Sequence, residues 1–456
     1  MPDYGLKEPS YLGGSGRSIL GAIPVLALLA LAGAAALLWF RSTAPQVEVA
    51  GGFPRALGPA TPLLVRWNNP HGARRVTVYI EQNGVRTLAF EKVEPARRFA
   101  FSPPPLPPGE TALSIGKRQV PSLAPGKAVV TVEVQSNDLR AQVASVSKEL
   151  PVILEKPRVS ADAEPVFLRQ GGTGVVSFSV GGGWDEAGVR VGKFTFPSWP
   201  VKGRPERRIS LFSLPPDAGP DATAELYARN AVGDEATAPF SYKLTPVKFR
   251  DRTLELGDRL MDKVLGELDP GTNGPAAERF ARLNSVMRRA NDAALAELSR
   301  KSEPKRLWTG PFVLLPKGKA EAMFADHRTY SYQGKALNKE WHLGIDMASV
   351  KNAPVPAGNN GRVVHAGRLG IYGNCVVIDH GLSVLTVYGH MSAIDVKIGD
   401  SVTRGQQIGK SGMTGLAGGD HLHLGLMVGG AFVDPVEWSY QSWMERTILP
   451  ALAALE

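Results

Sequence analysis

The sequence contains a single cysteine, Cys375, among its 456 residues, so no disulfide bond can form within the chain. Valine and isoleucine follow Cys375 directly, and we expect it on a buried strand, where a free cysteine behaves as a small apolar residue. No cysteine lies near the N-terminal apolar segment, which excludes lipoprotein processing. Ordinary hydrophobic cores must therefore stabilise the chain, whose length indicates about two to four domains.

The sequence also lacks basic residues interleaved with aromatic ones, the pattern typical of nucleic-acid-binding surfaces. Lysine and arginine number 52 against 43 aspartate and glutamate residues, which gives a formal net charge of +9. We therefore expect no nucleic acid as a partner. A mild basic excess suits an anionic polymer or a membrane surface instead.

Charge is absent from one long N-terminal stretch, residues 18–40, which Arg17 and Arg41 bound. About 20 apolar residues span a bilayer, and the apolar region of a signal peptide is usually shorter, about 7–15 residues. Pro45 follows closely and would hinder cleavage. We predict an uncleaved transmembrane anchor at residues 18–40, with a cleaved signal peptide as the alternative.

The charges around this segment predict its orientation. Lys7 and Arg17 precede it, whereas after Arg41 no basic residue occurs until Arg55. Positive charge favours the cytoplasmic side, so residues 1–17 are predicted to be a short cytoplasmic tail. The chain is then a single-pass protein of the cytoplasmic (inner) membrane, with its body in the periplasm or extracytoplasmic space.

Two successive regions, residues 46–150 and 151–247, have short alternating strands separated by proline- and glycine-rich turns. The clearest strands are Thr77–Glu81, Val129–Val134 and Gly174–Val180. This spacing is typical of β-sandwiches of about 100 residues. We predict a β-sandwich module in each region and an immunoglobulin-like fold for both.

Residues 251–302 have apolar residues at helical spacing, from Leu254 to Leu268 and again from Phe280 to Leu298. Pro270, Gly271 and Gly274 separate the two runs. The pattern predicts an αα-hairpin, which is either a structural bridge or a regulatory arm that covers a functional cleft. A further helix is predicted at residues 441–456.

Seven of the eight histidines lie between His327 and His423. Five residues of this region form a set that suits a hydrolytic zinc site: His342, Asp346, His390, His421 and His423. Catalytic zinc takes three His, Asp or Glu ligands and keeps a position for water, and further histidines can move protons. His71, His327, His365 and His380 are interpreted as structural.

The spacing of the histidine motifs adds geometry to this prediction. Residues i and i+2 of a strand point to the same face, so His421 and His423 both enter one cleft, and one can bind the metal while the other reaches water or substrate. Gly344 argues against a helix between His342 and Asp346. That motif is predicted to be irregular or extended.

The chain resembles the lysostaphin-type (LytM-like) zinc metallopeptidases of the bacterial cell wall over roughly residues 307–440. The matching stretches, in the order and spacing of the family, are HLGIDMA, APVPAGNNGRVVHAG, YGNCVVIDHG, TVYGHMS, VKIGDSVTRGQQIGKSGMTG and GGDHLHLGL. The resemblance implies one zinc ion bound by His342, Asp346 and His423. It implies that His390 and His421 assist catalysis, and that a tyrosine upstream, Tyr330 or Tyr332, takes part.

The predicted protein is therefore multidomain and mainly β: an N-terminal transmembrane helix, two immunoglobulin-like sandwiches, an αα-hairpin and an antiparallel-β, LytM-like peptidase domain at residues 307–440. The resemblance implies a zinc metalloendopeptidase that hydrolyses peptidoglycan stem-peptide cross-links or cross-bridges. A non-hydrolytic activator or scaffold of other wall hydrolases is the alternative, and hydrolysis of a folded protein is a third hypothesis. A protein regulator is a further expected partner.

Overall fold

The computed structural model describes residues 19–96, 104–218 and 222–455. The predicted cytoplasmic tail, residues 1–17, lies outside these ranges. The chain divides into two compact units, Met1–Leu154 and Glu155–Glu456. The predicted metal ligands all belong to the second unit.

Helix α1, Ile19–Arg41, opens the described part of the first unit and coincides with the predicted span at residues 18–40. Within it, Ile23–Arg41 has a mean hydropathy of 2.3. Its large apolar side chains, such as Leu28 and Leu31, are exposed. Among the described residues this is the one helix that is long and apolar enough to cross a membrane, a property that anchors and signal sequences share.

The first unit continues with seven strands. They are β1 (Gln46–Val49), β2 (Thr61–Asn68), β3 (Ala73–Gln82), β4 (Val85–Val93), β5 (Gly109–Ile115), β6 (Gly126–Ser136) and β7 (Val143–Val152). Two antiparallel sheets result, with strand orders β1-β2-β5 and β4-β3-β6-β7. Val65 of one sheet and Val78 and Val132 of the other belong to one buried cluster, as alternation along the strands predicts. The immunoglobulin-like relationship stays a prediction.

The second unit begins with nine strands. They are β8 (Arg158–Ala161), β9 (Val166–Arg169), β10 (Thr173–Gly181), β11 (Glu186–Val191), β12 (Phe194–Val201), β13 (Arg204–Ser213), β14 (Ala224–Arg229), β15 (Glu235–Pro239) and β16 (Tyr242–Thr245). Seven of them form one antiparallel sheet in the order β15-β14-β11-β12-β13-β10-β8, and β9 pairs with β16 in parallel. Whether this region is an immunoglobulin-like sandwich also stays a prediction.

The next segment begins with a strand, β17 (Asp251–Leu256), so the prediction of helix from residue 251 was wrong at this end. Leu254 and Leu256 are two residues apart, a spacing that fits a strand better than a helix. The helical part follows as α2 (Asp258–Leu268), α3 (Ala276–Arg282), a π-helical turn (Leu283–Met287) and α4 (Arg288–Arg300).

The remaining strands belong to the predicted peptidase region. They are β18 (Lys319–Ala322), β19 (Asp326–Tyr332), β20 (Lys335–His342), β21 (Ile345–Ala348), β22 (Pro354–Pro356), β23 (Gly361–Arg368), β24 (Asn374–Asp379), β25 (Val384–Met391), β26 (Ala393–Ile394), β27 (Ser401–Val402), β28 (Gln407–Lys410), β29 (Leu422–Val428) and β30 (Ala431–Val433). The main sheet runs β18-β21-β29-β25-β24-β23-β27, with β30 beside β29. It is antiparallel throughout, as predicted.

Two smaller sheets flank the main sheet. One has the order β17-β19-β20, in which β17 and β19 are parallel, and the other has the order β22-β28-β26. Strand β24 is buried along nearly its whole length, which confirms the buried position predicted for Cys375.

The second β-rich region and the predicted peptidase region, residues 307–440, share one hydrophobic core. Phe196 and Phe212 from the first pack in the same buried cluster as Leu426, Val433 and Trp438 from the second. These two regions were predicted as separate domains, but their apolar faces cover each other. Residues 155–456 accordingly form one compact unit.

The C-terminal segment is helical, as predicted, but it alternates between α-helical, π-helical and 3₁₀ turns. It comprises α5 (Gln441–Trp443), a π-helical turn (Met444–Ile448), α6 (Leu449–Leu452) and a 3₁₀ turn (Ala453–Leu455). Met444, Ile448 and Leu452 are fully buried at this helical spacing. They extend the shared core described above.

Glu437 provides a test of this shared core. Its carboxylate is 7% exposed and accepts a hydrogen bond from the Thr173 backbone nitrogen at 3.2 Å. Burial, with the nearby Asp434, raises the pKa of Glu437 from 4.5 to about 7. Because folding raises the pKa of this carboxyl, the native state binds its proton more tightly than the unfolded state does. The protein is therefore destabilised as the pH rises from the unfolded pKa, near 4.5, to the folded pKa, near 7.

We therefore expect Glu437→Gln to unfold with nearly the wild-type free energy at pH 4.5 and to be more stable by about 3 kcal/mol at pH 8. Chemical denaturation of both proteins across this pH range measures the difference. Glu445→Gln, at an exposed site of the same segment, is the matched control and should show no pH-dependent gain. A constant difference between wild type and Glu437→Gln at every pH would contradict the assignment.

Candidate metal centre

Three short strands bring the predicted ligands together. Strand β20 ends at His342, and β21 begins three residues later and carries Asp346. Asp346 is paired directly with His423 of β29 in the antiparallel register. The extended conformation predicted for the first motif is thereby confirmed, because two strands and a short connection place His342 and Asp346 side by side.

The potential metal-binding atoms of these three residues converge. His342 Nε2 lies 2.9 Å from Asp346 Oδ1 and 3.1 Å from His423 Nδ1, and Asp346 Oδ1 lies 2.9 Å from His423 Nδ1. One potential ligand atom from each residue lies within 4.8 Å of the others. Two imidazoles and a carboxylate are a ligand set that catalytic zinc uses in proteins.

The hydrogen bonds of His342 show that this cluster fits a cation. His342 Nδ1 lies 2.9 Å from the Met323 carbonyl, so this nitrogen carries the proton and Nε2 presents a lone pair. That lone pair faces Asp346 and His423, whose facing atoms can also be acceptors. Only a proton or a metal ion between them removes the repulsion. A backbone partner on the outer nitrogen is also the usual arrangement behind a metal-binding histidine.

Gly344 allows His423 to occupy its position. A Cβ atom at residue 344 would lie 2.6 Å from His423 Nε2 and 2.7 Å from the Leu424 carbonyl oxygen. Contacts this short are not tolerated, so the ring of His423 packs directly on the glycine backbone. The side of the ring away from Asp346 is therefore closed, and His423 Nε2 is buried without a partner among the described residues.

His390 lies at a β-bulge of strand β25 and has a backbone φ of 63°, a left-handed conformation that is uncommon for a residue with a side chain. Bulges of this kind redirect a side chain. Its Nδ1 donates to the Thr414 carbonyl at 2.8 Å, which leaves Nε2 as the free nitrogen. The rings of His390 and His421 have centroids 4.8 Å apart.

His421 precedes strand β29 and forms a single β-bridge with Gly412. Its Nδ1 donates to the Gly419 carbonyl at 2.8 Å, and its Nε2 lies 3.6 Å from Asp346 Oδ1. His421 and His423 therefore both enter one cleft, as their spacing of two residues predicted. His423 lies deep in the site beside the other two predicted ligands, His342 and Asp346, and His421 lies nearer the surface.

Arg328 completes the surroundings of Asp346. It lies on β19, is 14% exposed and donates from Nη2 to Asp346 Oδ2 at 2.9 Å. Asp346 thus offers Oδ1 to the cluster while Oδ2 is held from behind. Tyr330, two residues further along the same strand, is buried and lines the cleft, whereas Tyr332 binds Asp258 outside it. The structure therefore places Tyr330, rather than Tyr332, in the cleft of the predicted metal ligands.

The charges of the cluster set its protonation states. Burial acts to raise the pKa of Asp346, but attraction to the neighbouring imidazoles, that of His342 above all and then those of His421 and His423, holds it well below its usual range. Burial lowers the pKa of His423 to about 4. Burial and the charges of His421 and His423 also lower the pKa of His390.

His421 behaves differently because it is less enclosed. Burial acts to lower its pKa, but the neighbouring carboxylate of Asp346 outweighs that effect and raises it. His390 and His421 therefore differ in their preferred protonation state. The surroundings of His390 favour the neutral ring, and those of His421 favour the charged ring.

A cleft of about 360 Å³ leads to the five residues. Residues of β17, α2 and the 416–418 segment form much of its wall, and Arg288, Tyr330 and Tyr372 also line it. Its mixed polar and apolar lining can receive a peptide backbone together with short side chains.

The four histidines interpreted as structural are not among the residues that line this cleft. His380 is fully buried and bonds to the Asn360 carbonyl and the Thr386 hydroxyl, and His327 stacks on Trp341. Sequence reasoning missed Arg328 and Tyr372. The alternation of Arg328 with Tyr330 on one strand was an available signal, whereas nothing in the sequence places the Tyr372 ring 5.5 Å from that of His423.

Comparison with known proteins identifies the C-terminal domain. Residues 340–435 match the family described as Peptidase family M23. This region, which holds all five site residues, is therefore a peptidase family M23 domain of the LytM/lysostaphin type. The family prediction is confirmed.

Curated relatives are similar to this chain over about 100 residues. The chain is 38% identical over 109 residues to the DD-carboxypeptidase/endopeptidase Mpg of Neisseria meningitidis serogroup B, covering 24% of this chain and 25% of that protein. It is 44% identical over 96 residues to the peptidoglycan DD-endopeptidase ShyA of Vibrio cholerae, covering 21% of this chain and 22% of that protein. The match thus spans about a quarter of the length of these relatives.

Among solved structures, the catalytic domain of lysostaphin from Staphylococcus simulans is 30% identical. The alignment covers 27% of this chain and 92% of that domain, with a TM-score of 0.23.

The contact between Arg328 and Asp346 leads to a prediction about metal affinity. Removing the guanidinium in Arg328→Met frees Asp346 Oδ2, so we expect metal binding about 10- to 100-fold weaker, as for other residues that hold a ligand from behind. Competition with a chromogenic chelator measures the dissociation constant. Lys339→Met, exposed on the neighbouring strand β20, is the control. Equal affinity in wild type and Arg328→Met would show that this contact does not orient Asp346.

Proposed function

We propose that this protein is a membrane-anchored, zinc-dependent endopeptidase that hydrolyses peptide cross-links of bacterial peptidoglycan. The observation that carries the proposal is the convergence of His342 Nε2, Asp346 Oδ1 and His423 Nδ1 at the base of a cleft that also contains His390 and His421. The names of the Neisseria and Vibrio relatives support a peptide cross-link of the D,D type as the substrate.

His342, Asp346 and His423 would hold the zinc ion, with Arg328 behind Asp346. Bound zinc supplies a Lewis acid for the scissile carbonyl and an acidified water. The other steps belong to the protein. Peptide hydrolysis requires a base for the proton of the attacking water and an acid for the leaving amine.

His390 and His421 are suited to these two proton transfers. Each donates its Nδ1 proton to a backbone carbonyl, of Thr414 and Gly419 respectively, so each has Nε2 available on the cleft side. A charged imidazole beside the reacting carbonyl would also stabilise the developing oxyanion. His342, His390 and His423 are themselves buried, and their low exposure to water strengthens these electrostatic interactions.

The test is release of muropeptides from purified peptidoglycan by the full chain in detergent. We expect soluble fragments from the wild type and a loss of at least about 1000-fold in His423→Ala, because the metal and its acidified water are lost together. His365→Ala, in the same sheet but outside the cleft, is the control and should remain active. Mass spectrometry of the fragments identifies the bond that is cut.

The outcomes separate the proposed function from its alternatives. Fragments from the wild type and His365→Ala, but not from His423→Ala, support the peptidase. Activation of a separate wall hydrolase that persists in His423→Ala would instead identify an activator or scaffold. Cleavage of a folded protein with intact peptidoglycan would identify a protease.

The N-terminal helix supports the proposed location. Helix α1 is long, apolar and exposed over Ile23–Arg41. If it is an uncleaved anchor, the chain sediments with membranes, is released by detergent but not by high salt, and retains its original N-terminus. External protease added to spheroplasts should then degrade the body of the protein. A shortened N-terminus with release into the soluble fraction would instead show a cleaved signal peptide.

A further inference from the structure

Helix α2 holds a loop of the active site from outside the region that matches the peptidase family. Lys263 Nζ donates to the backbone carbonyls of Gly415 at 2.6 Å and of Ala417 at 3.3 Å, and also to that of Met413. An ammonium group has three protons, so these three carbonyls use all of them. The loop formed by residues 413–417 is thus gathered around one side chain.

Glu267, one turn further along α2, binds the same loop with a carboxylate, which accepts a hydrogen bond where Lys263 donates. Its Oε1 accepts a hydrogen bond from the Gly415 backbone nitrogen at 2.8 Å. Lys263 Nζ lies 3.3 Å from its Oε2, and Arg368 donates to Oε1 at 2.6 Å. Both side chains are largely buried, at 24% exposure for Lys263 and 19% for Glu267, so their hydrogen bonds are shielded from competing water.

The loop matters because it holds His390. The carbonyl of Thr414, in the middle of the loop, accepts the Nδ1 proton of His390 at 2.8 Å. The Thr414 hydroxyl binds the Asn374 backbone nitrogen at 2.9 Å and the Met391 carbonyl at 3.0 Å. His390 is itself in an uncommon backbone conformation, which persists only when its surroundings determine it.

The loop is confined on two sides. On the side of the sheet, a Cβ atom at Gly415 would lie 2.4 Å from the Gly373 backbone nitrogen, so the two backbones are already in close contact. Movement in that direction is therefore blocked. On the other side, Lys263 and Glu267 hold the loop by its carbonyls and by one amide. Without them, the Thr414 hydroxyl and the bond from the Leu416 amide to the Ile371 carbonyl still hold the loop to the sheet. The outer side of the loop is then unsupported, and the Thr414 carbonyl is held less firmly beside His390.

Helix α2 is also an integral part of the core rather than a detachable arm. Met261, Val264 and Leu265 are buried in the same cluster as Tyr330 and Ile371 of the peptidase region. Strand β17, just before the helix, pairs with β19, which carries Arg328. Release of this segment would expose apolar core and unpair a strand, which favours a structural role over the regulatory arm considered from the sequence.

We propose that Lys263 and Glu267 are positioning residues for His390: through the 413–417 loop they fix the ring that moves a proton during hydrolysis. This inference rests on the proposed function for its kinetic consequence, but the geometry of His390 can be measured without it. The metal ligands do not contact this loop through hydrogen bonds of the described structure, so metal affinity should not depend on either residue.

The kinetic test compares Lys263→Met with Arg259→Met, which removes an exposed cation one turn earlier on the same helix. With the full chain in detergent and a D,D-cross-linked muropeptide dimer, we expect Lys263→Met to lower kcat about 10- to 100-fold with little change in KM. Zinc affinity by chelator competition should equal that of wild type. Lys263→Arg should recover part of kcat, because a guanidinium can also donate to several carbonyls.

A second measurement reads the position of His390 directly. In protein labelled with ¹⁵N-histidine, the Nδ1 proton held by Thr414 should give a slowly exchanging downfield resonance, assigned by its absence in His390→Gln. We expect this resonance to be retained in Arg259→Met and broadened or lost in Lys263→Met, and likewise in Glu267→Gln.

The two measurements separate the possible failures. Wild-type protein that cleaves no peptidoglycan, with the resonance lost in Lys263→Met, would overturn the proposed function and support the positioning role. Unchanged kcat and an unchanged resonance in Lys263→Met would overturn the positioning role while leaving the peptidase intact. A loss of zinc affinity equal to the loss of kcat would also overturn it, because the variant would then have disturbed the metal ligands.

Discussion

The pairing of Asp346 with His423 across strands β21 and β29 is the constraint on which the site depends. A shift of one residue in this register would turn His423 to the other face of the sheet, because side chains alternate along a strand. The register in turn depends on the buried residues on either side, including Ile345 and Leu424, which face each other in the next pair. Core packing therefore sets the spacing of Asp346 and His423.

Burial of the site has an electrostatic consequence. A carboxylate and several imidazoles are removed from water, which is unfavourable unless opposite charges compensate. Arg328 supplies one positive charge behind Asp346, and the atoms that converge in front of it leave room for another. A metal ion bound there would satisfy both imidazoles and the carboxylate at once. Because ligand atoms must be free of protons to bind a metal, binding would also displace any proton shared among them.

The sequence predicted which residues meet at the site better than it predicted what surrounds them. His342, Asp346, His390, His421 and His423 were identified because few other roles explain such residue types at that spacing, and the structure places all five at one cleft. The antiparallel C-terminal sheet and the N-terminal apolar helix follow from strong local patterns. Each motif, strand and helix is recorded by residues near one another in the sequence, although the pairing that brings the motifs together is not.

The features that were missed depend on contacts between distant residues. Lys263 lies about 150 positions before the carbonyls that it binds, and a lysine on a helix is ordinarily a solvated residue. The first residues of the predicted hairpin form strand β17 because they pair with the edge of β19. This partner is more than 70 residues away, so the local sequence preference of residues 251–256 does not indicate it. The core shared by the second β-rich region and the peptidase region could not be predicted either, because composition and turn spacing indicate domain boundaries but not contacts between domains.

This arrangement has a consequence for how the M23 domain is embedded in the chain. The matched region, residues 340–435, contains the predicted ligands and one part of the cleft wall, but another part of the wall comes from β17, α2 and β19, which precede it. The apolar surface on its opposite side is covered by the second β-rich region. Ligand geometry can therefore be common to a family while cleft shape and support vary with the flanking segments. For the proposed peptidase, substrate choice should accordingly depend on residues between positions 251 and 332 as well as on the matched region.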